Sequence, residues 1–405
     1  METWILFLDF VKAFDRVPRH LLWRVLKKFG VPPKLIRLLT SLHESVHVNF
    51  ETSGITKSFT NTIGVKQGDT LGPLLFTFYI AAIFNSWRET TTTAPCIFKT
   101  SQDFQLTGRN YKNQGELFLI RDSEYADDAA AIFSNRSDLS EGAKELITHC
   151  NRFGMEVHTG KTDALNPPKK SKSEALFVPK PAHSYNNPAT FDNANLAPIN
   201  TGNSTFIPIV SQFNYLGSQQ SGEATDALDV KERIKTASSA FGSLRKIFFN
   251  NRNILPMAKS AVYKRMILSI ALYASESWCL TSKEERALET FHNSCIRTMN
   301  SISRRIQHQN YISSHTLRNR LRIPRIASTY TKHQLRWAGH VARMKWYRLP
   351  RKLLSSWCNN KRPSGAPQMT YGRSLRRATT QSGITRWHHK AQDKIAWKRL
   401  VKNIQ

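Results

Sequence analysis

The opening segment WILFLDF is a short apolar run, typical of a β-strand whose side chains alternate between two faces. A period of two places Ile5, Phe7 and Asp9 on one side of a β-strand. In HLLWRVLKKFG and KLIRLLTSLHE the apolar residues recur every three to four positions, which predicts two helices, separated by a glycine and two prolines. A hairpin is expected next, around residues 46–64.

The middle of the chain mixes both periodicities. The glycine-punctuated turn GVKQGDTLGP leads into an apolar helix that is expected to end near Trp87. The segment EYADDAAAI (124–132) lies between short β-prone stretches, and a helix follows from about Leu139 to Phe153. Residues 90–115 are predicted to form a polar, partly flexible insertion. Residues 166–205 are predicted to form a loop or linker with one strand at ALFV. This mixture predicts an α+β fold.

The pattern becomes mainly helical beyond FNYLGS (213–218), and the charge changes with it. The formal net charge is +30, and residues 1–230 hold 23 basic and 23 acidic side chains, whereas residues 231–405 hold 36 and 6. A one-sided basic surface favours nucleic acid as a partner, with rings stacking on bases. The alternative is a solvated basic face with core tryptophans. Six tryptophans lie in this part: Trp278, Trp337, Trp346, Trp357, Trp387 and Trp397.

No segment of the sequence has the length of a membrane span. The longest apolar run, LLFTFYIAAIF at 74–84, is too short to cross a bilayer, and no N-terminal secretory pattern is visible. We therefore expect a soluble, intracellular protein of the nucleus or cytoplasm, without a membrane partner. PPKKSKS at 167–173 fits either a nuclear-import patch or a charged loop.

Adjacent carboxylates at Asp127 and Asp128 repel each other and are costly to desolvate unless a cation lies between them. Asp9 and Asp15 form the other carboxylate set on a strand-like element. If the Asp9 strand pairs with the Asp127 hairpin, three carboxylates converge and can hold two Mg²⁺ ions, with Mn²⁺ as a substitute. Two ions about 3.5–4 Å apart would serve phosphoryl transfer.

Five segments in order resemble the reverse transcriptases of non-LTR, LINE-like retrotransposons. FLDFVKAFDRV, GVKQGDTLGPLLF, YADD and FGMEVHTGKT resemble motifs A to D of that family, and FNYLG its primer-grip motif E. In the C-terminal half, SIALYASESWCLTSKEERALETFHNSCIRTM and QLRWAGHVARM resemble segments of RTE-type elements. The resemblance thus covers nearly the whole chain.

The resemblance implies an architecture and an activity. Residues 1–225 would form a polymerase palm, an antiparallel sheet with packing helices, residues 226–300 a helical thumb, and residues 301–405 a basic helical nucleic-acid-binding region. The activity would be that of an RNA-directed DNA polymerase, which adds dNTPs to the 3′ end of a DNA primer or target on an RNA template by two-metal nucleotidyl transfer.

The resemblance also implies catalytic roles. Asp9 and Asp127 match the principal metal ligands, Asp128 matches the second carboxylate of motif C, and Asp15 is interpreted as a structural acid. Strand alternation would point Asp127 and Asp128 apart, so a tight turn has to bring both near the metals. Tyr125 would orient that turn and line the primer side.

Substrate contacts follow from the same comparison. Phe14 matches the aromatic that lies under the sugar of the incoming nucleotide and argues for deoxynucleotides, with an ordinary core phenylalanine as the alternative. Gln67 and Gly68 match the template and nucleotide contact of motif B. Lys161 matches the motif D lysine, a general acid for the departing pyrophosphate, or is a solvated lysine. Phe213, Tyr215, Leu216 and Gly217 match the primer grip.

The chain also departs from the family. Asp69, Thr70 and Gly72 stand where other residues are usual, Gly72 in place of serine. Met1 lies just before motif A, so we expect an N-terminally truncated polymerase without fingers or endonuclease and with low or no independent activity. The alternatives are a catalytically idle, retroelement-derived nucleic-acid-binding protein and an intron-encoded maturase-type enzyme. The oligomeric state stays open.

Overall fold

A computed structural model describes residues 3–44, 46–52, 54–100, 116–163, 166–169, 174–178, 197–202, 205–222, 225–358 and 370–404. The chain divides into two compact units. The first comprises residues 1–97 and 119–216, and the second comprises residues 98–118 and 217–405.

Strands and helices alternate in the first unit. Its helices are α1 (Arg19–Lys28), α2 (Pro33–His43), α3 (Gly72–Thr90) and α4 (Arg136–Arg152). Its strands are β1 (Thr3–Leu8), β2 (Val46–Thr52), β3 (Ile55–Asn61), β4 (Cys96–Thr100), β5 (Glu116–Ile120), β6 (Asp122–Tyr125), β7 (Asp128–Phe133), β8 (Gly160–Asp163), β9 (Asn166–Lys169), β10 (Glu174–Val178), β11 (Ile199–Gly202), β12 (Thr205–Ile207), β13 (Ile209–Val210) and β14 (Gln212–Tyr215). Parts of β4 and β5 belong to the second unit. The predicted helices and the β2–β3 hairpin are confirmed.

A five-stranded sheet in the order β13-β10-β1-β7-β6 organises this unit. β1 runs antiparallel to both β10 and β7, β6 is antiparallel to β7, and only β13 is parallel to its neighbour. A second sheet has the order β11-β12-β8-β9. The unit is therefore of mixed α and β structure, as the sequence pattern predicts.

The two faces of β1 are buried differently because its side chains alternate. Leu6 and Leu8 point into the main core, where they join buried residues of α3 and α4. Phe7 lies on the other face with Ala130 and Leu176, where Phe213 and Tyr215 pack against it. This second face leads along β1 toward Asp9.

The prediction of a loop over 166–205 is wrong where this range contains several short strands. ALFV, the one strand expected there, lies in β10 beside β1 near the middle of the main sheet, with Leu6 paired to Ala175. β9 and β11 also fall in this range. Residues 170–173 of the candidate import patch lie outside the described part of the chain. The strands were hidden because local polarity says little about pairing across long sequence separations.

The second unit is mainly helical. Its helices are α5 (Ala227–Leu244), α6 (Pro256–Val262), α7 (Leu268–Ala271), α8 (Ser282–Met299), α9 (Arg304–Gln309), α10 (Ser314–Arg320), α11 (Ile326–Ala342), α12 (Leu349–Leu354), α13 (Tyr371–Gln381), α14 (Trp387–Lys390) and α15 (Lys394–Lys402), with π-helical turns at Arg245–Phe249 and Tyr263–Ile267, a 3₁₀ turn at Ser275–Ser277 and strands β15 (Ser218–Ser221) and β16 (Ser356–Cys358). β16 pairs with β4.

The prediction that the tryptophans of this unit stack on bases is wrong for Trp278, Trp387 and Trp397, which are buried. The Trp278 indole donates to the carboxylate of buried Asp229 at 2.9 Å. Trp337 is partly exposed. For the three buried rings, the alternative reading as core residues is the correct one.

The glycine of the QLRWAGHVARM segment lies at a close contact between two helices. Gly339 lies near the C-terminal end of α11, where a Cβ atom would come within 2.0 Å of the Trp397 indole nitrogen. That nitrogen donates to the Leu335 carbonyl at 3.0 Å. Glycine is therefore required for α15 to pack against α11.

In the described residues of both units, no helix is long and apolar enough to cross a membrane.

Candidate active site

A tight turn joins β6 to β7 and carries the paired carboxylates. Tyr125 pairs with Asp128 across the hairpin, so only Ala126 and Asp127 form the turn. Ala126 adopts a left-handed conformation with φ 53°. This turn interrupts the strand alternation between Asp127 and Asp128, as the sequence required. Asp127 and Tyr125 are exposed at the tip, whereas Asp128 is half-buried.

The end of β1 brings Asp9 to the same place. Leu8 pairs with Ala129 on β7, so the next position along each strand sets Asp9 opposite Asp128. Strand alternation puts both carboxylates on the face that carries Phe7. Asp9 is half-buried. Residues separated by more than a hundred positions in the sequence thus meet at one end of the sheet.

The charges of these carboxylates act on one another. Burial raises the pKa of Asp128, and the negative charges of Asp127 and then Asp9 raise that pKa further. A cation would relieve this repulsion, and carboxylate oxygens are preferred ligands of Mg²⁺. Among the described residues, however, no three histidine, cysteine or carboxylate side chains are grouped closely enough to hold a metal ion. The three carboxylates share one electrostatic neighbourhood without forming a complete ligand set.

The segment after α4 fixes the backbone of Asp9. The His158 amide donates to the Asp9 carbonyl at 2.8 Å, and the Val11 amide donates to the Glu156 carbonyl at 2.9 Å. An ion pair between Arg16 and Glu156 adds a side-chain contact between the same segments. Lys161 lies farther along, on β8, in register with Thr205. The Lys161 side chain is outside the described part of the structure.

Phe14 lies where two sequence motifs pack together. Its ring stacks on Phe76 of α3 with 4.5 Å between centroids, and its carbonyl accepts the Val65 amide at 2.9 Å. The ring is only half-buried. Close by, a Cβ atom on Gly64 would lie 2.6 Å from the Asp15 carbonyl oxygen, so the two chain segments are in contact. The Asp15 side chain is exposed.

Gln67 and Gly68 are exposed in the turn before α3. Gly68 has φ +90° and open space where a Cβ would stand, so its glycine serves the turn and leaves the surface accessible. Gly72 is different, because a Cβ there would lie 2.1 Å from the Lys66 carbonyl oxygen. This contact explains why serine does not occupy position 72. Asp69 accepts the Leu71 amide at 3.3 Å and closes the turn.

The FNYLG segment covers the carboxylate face of β1. Phe213 stacks on Phe7 with 4.1 Å between centroids, and Tyr215 lies 5.1 Å from the same ring. Burial raises the pKa of Tyr215, and the charge of Asp128 contributes, which places the tyrosine near the carboxylates. Leu216 and Gly217 follow with φ of 50° and 77°.

Sequence reasoning missed an ion-pair cluster behind the hairpin. Arg88, in the last turn of α3, donates from Nε and Nη2 to the two Asp122 oxygens, each at 2.8 Å, and pairs with Glu124. Burial raises the pKa of Glu124 to about 7, against the opposing charge of Arg88. The alternation of Asp122 and Glu124 before the YADD turn was the available signal. Both acids face α3, away from the Asp9 face.

Comparisons with known proteins agree with this geometry. Residues 1–219, more than half of the chain, match the family described as reverse transcriptase (RNA-dependent DNA polymerase). An uncharacterized transposon-derived protein of Caenorhabditis elegans is 24% identical over 307 residues, which cover 74% of this chain and 98% of the relative. A probable RNA-directed DNA polymerase from transposon BS of Drosophila melanogaster is 22% identical over 344 residues, 83% of this chain. The match spans about a third (32%) of that longer relative.

Proposed function

This chain belongs to the reverse transcriptase family, and from that premise we propose that it is the RNA-directed DNA polymerase of a non-LTR, RTE-type retrotransposon. The order of motifs A to E supports the element type, and the two transposon-derived relatives support the origin. The substrates are an RNA template, a DNA primer or target, and dNTPs.

One observation carries the proposal: the register of β1 and β7 that sets Asp9 opposite Asp128, with Asp127 in the adjoining turn. Asp9, Asp127 and Asp128 would hold the divalent cations, and small side-chain adjustments would complete the ligand set. When bound, Mg²⁺ or Mn²⁺ supplies electrostatic stabilisation of the attacking and leaving oxygens.

The residues around the carboxylates take the substrate roles. The half-buried Phe14 ring, fixed by Phe76, would exclude a ribose 2′-OH and so select deoxynucleotides. Gln67 and Gly68 present an accessible turn to the template and nucleotide. Tyr125 would line the primer side, and Lys161 would protonate the departing pyrophosphate.

The primer 3′ end would be held by the FNYLG segment. This role is supported by the packing of Phe213 and Tyr215 on Phe7, which is two positions before Asp9 on the same strand face. Leu216 and Gly217 complete the grip. We further propose a palm over 1–225, a thumb over 226–300 and a basic binding region over 301–405, whose charge fits template and primer phosphates.

Primer extension on an RNA template tests the proposal. The full chain is incubated with a DNA primer, dNTPs and Mg²⁺ or Mn²⁺, with Asp127→Asn as the inactive control. We expect weak, template-dependent incorporation that this variant loses. If the wild type binds primer and template but incorporates nothing, the chain is the catalytically idle nucleic-acid-binding alternative. Incorporation that survives Asp127→Asn contradicts the assigned site.

A further inference from the structure

Three successive helices of the second unit end in the same way. Each is followed by a non-glycine residue in the left-handed conformation and then by an isoleucine whose amide donates back to the helix at 3.0 Å. The left-handed residues are Ser301, Tyr311 and Arg322, with φ of 55°, 49° and 50°. The isoleucine bonds are Ile302 to Arg297, Ile312 to Gln307, and Ile323 to Arg318.

Tyr311 is the exceptional residue of this series. Glycine adopts the left-handed conformation without steric cost, whereas in tyrosine the Cβ atom comes too close to the following carbonyl oxygen. The Tyr311 side chain is 93% exposed, so almost none of its ring is buried by the fold. Folding alone therefore gives no reason for a tyrosine here, and strained positions of this kind are often retained for function.

The backbone under Tyr311 is firmly held. Ile312 packs against the core of the second unit. The Gln307 side chain donates to the Ile312 carbonyl at 3.0 Å, and Ser313 accepts the Thr316 amide at 3.0 Å as the cap of α10. The ring therefore projects from a rigid base, which lowers the entropy cost of binding through it.

The chain segment around Tyr311 is strongly basic, although Arg318, close by in the sequence, pairs with Glu289 of α8. Residues 290–392 contain 21 lysines and arginines and no aspartate or glutamate. We call residues 304–322 the Tyr311 hairpin, since α9 and α10 enclose the tyrosine. Its exposed arginines are Arg304, Arg305, Arg320 and Arg322. An electropositive surface with one projecting ring has the chemistry of a nucleic-acid contact.

We propose that the Tyr311 hairpin binds single-stranded nucleic acid, with the Tyr311 ring stacked on an unpaired base and the arginines on phosphates. A single strand is favoured because a ring can reach the flat face of a base only where that base is not stacked within a duplex. A membrane surface is disfavoured, because Ile306 and Tyr311 are the only large apolar side chains that the hairpin exposes. The inference rests on the proposed nucleic-acid role of the basic region and is independent of the carboxylates.

Tyr311→Gly tests the inference, because it removes the ring and relieves the left-handed strain together. The full chain is titrated with fluorescent oligouridylate and, separately, with an abasic oligonucleotide of equal length. Loss of one stacked base should weaken oligouridylate binding about 5- to 150-fold. Binding of the abasic probe should be unchanged, and the melting temperature unchanged or higher. Tyr311→Phe should bind like the wild type.

Two controls make the result decisive. Tyr347→Ala removes another exposed tyrosine of the acid-free segment and should leave binding within about twofold of the wild type. Arg322→Gly should weaken both probes and lower the salt slope by about 0.7. Equal binding by Tyr311→Gly and wild type, equal losses in Tyr311→Gly and Tyr347→Ala, or tighter binding to anionic vesicles than to RNA would overturn the inference. A wild type that binds no RNA would instead refute the nucleic-acid role of the whole basic region.

Discussion

Removing Arg88 should loosen the hairpin that carries Asp127 and Asp128. The guanidinium group holds Asp122, whose side chain is only 7% exposed, through two bonds of 2.8 Å, and it also pairs with Glu124. Arg88→Met would leave both carboxylates on β6 without a counter-charge. Losing one partner of a buried ion pair costs about 3–5 kcal/mol. Because Arg88 is 35% exposed, we expect a smaller loss, about 2–4 kcal/mol.

Hydrogen exchange of the full chain, read on peptides covering residues 116–133, measures this effect locally. The opening free energy of the β6–β7 hairpin should fall by that amount at pH 8. The loss should be smaller at pH 5, because the pKa of Glu124 is about 7 and the acid then carries a proton. Arg88→Lys keeps the charge but lacks the planar fork, so its loss should lie between those of the wild type and Arg88→Met.

A second substitution separates charge from packing. Asp122→Asn in the Arg88→Met background removes one of the stranded charges and should restore part of the protection. If Arg88→Met exchanges like the wild type at pH 8, the ion-pair cluster does not hold the hairpin. If the loss is the same at pH 5 and pH 8, the protonation of Glu124 has been wrongly assigned.

Three further predictions concern single residues. Phe14→Val should lower the preference for dNTPs over rNTPs at least about tenfold, measured as the ratio of kcat/KM values, and an unchanged ratio would return Phe14 to a packing role. Gly339→Ala should lower the urea midpoint through a clash with Trp397 worth about 1–3 kcal/mol, partly offset by better helix propensity; a raised midpoint would refute the contact. Burial lowers the pKa of His292 to about 4 in the folded protein, below its ordinary value of about 6.5. Below about pH 6.5 the unfolded chain therefore binds a proton that the folded protein does not, and the free energy of unfolding falls by roughly 3 kcal/mol by pH 4. His292→Gln should show a shallower decline over this range, and an equal slope would contradict the assignment.

The local geometry of the candidate site can be predicted from the sequence. Alternation in WILFLDF put Asp9 on the face of Phe7, and the adjacency of Asp127 and Asp128 required a turn, which Ala126 supplies with its positive φ. The meeting of these two segments came from the resemblance to known motifs. Local pattern does not encode which strands pair across a hundred residues.

Other features depend on three-dimensional packing that a linear pattern does not show. β10 pairs with β1 although the residues that flank β10 in the sequence are polar. The pairing depends on the apolar residues of β10 itself and not on those flanking residues. The clustering of tryptophans with arginines suggested base stacking, yet Trp278 and Trp397 are core residues that donate to internal acceptors. By contrast, Tyr311 drew no attention in the sequence, since only its φ and exposure distinguish it.

Titration with Mn²⁺, followed by electron paramagnetic resonance of the free ion, shows whether Asp9 and the Asp127–Asp128 pair share a cation. We expect Asp9→Asn and Asp127→Asn each to weaken Mn²⁺ binding at least about tenfold. Asp15→Asn, an exposed acid six residues after Asp9, should bind like the wild type. Mn²⁺ binding that is unchanged in Asp9→Asn, or reduced equally in Asp15→Asn, would contradict the assignment.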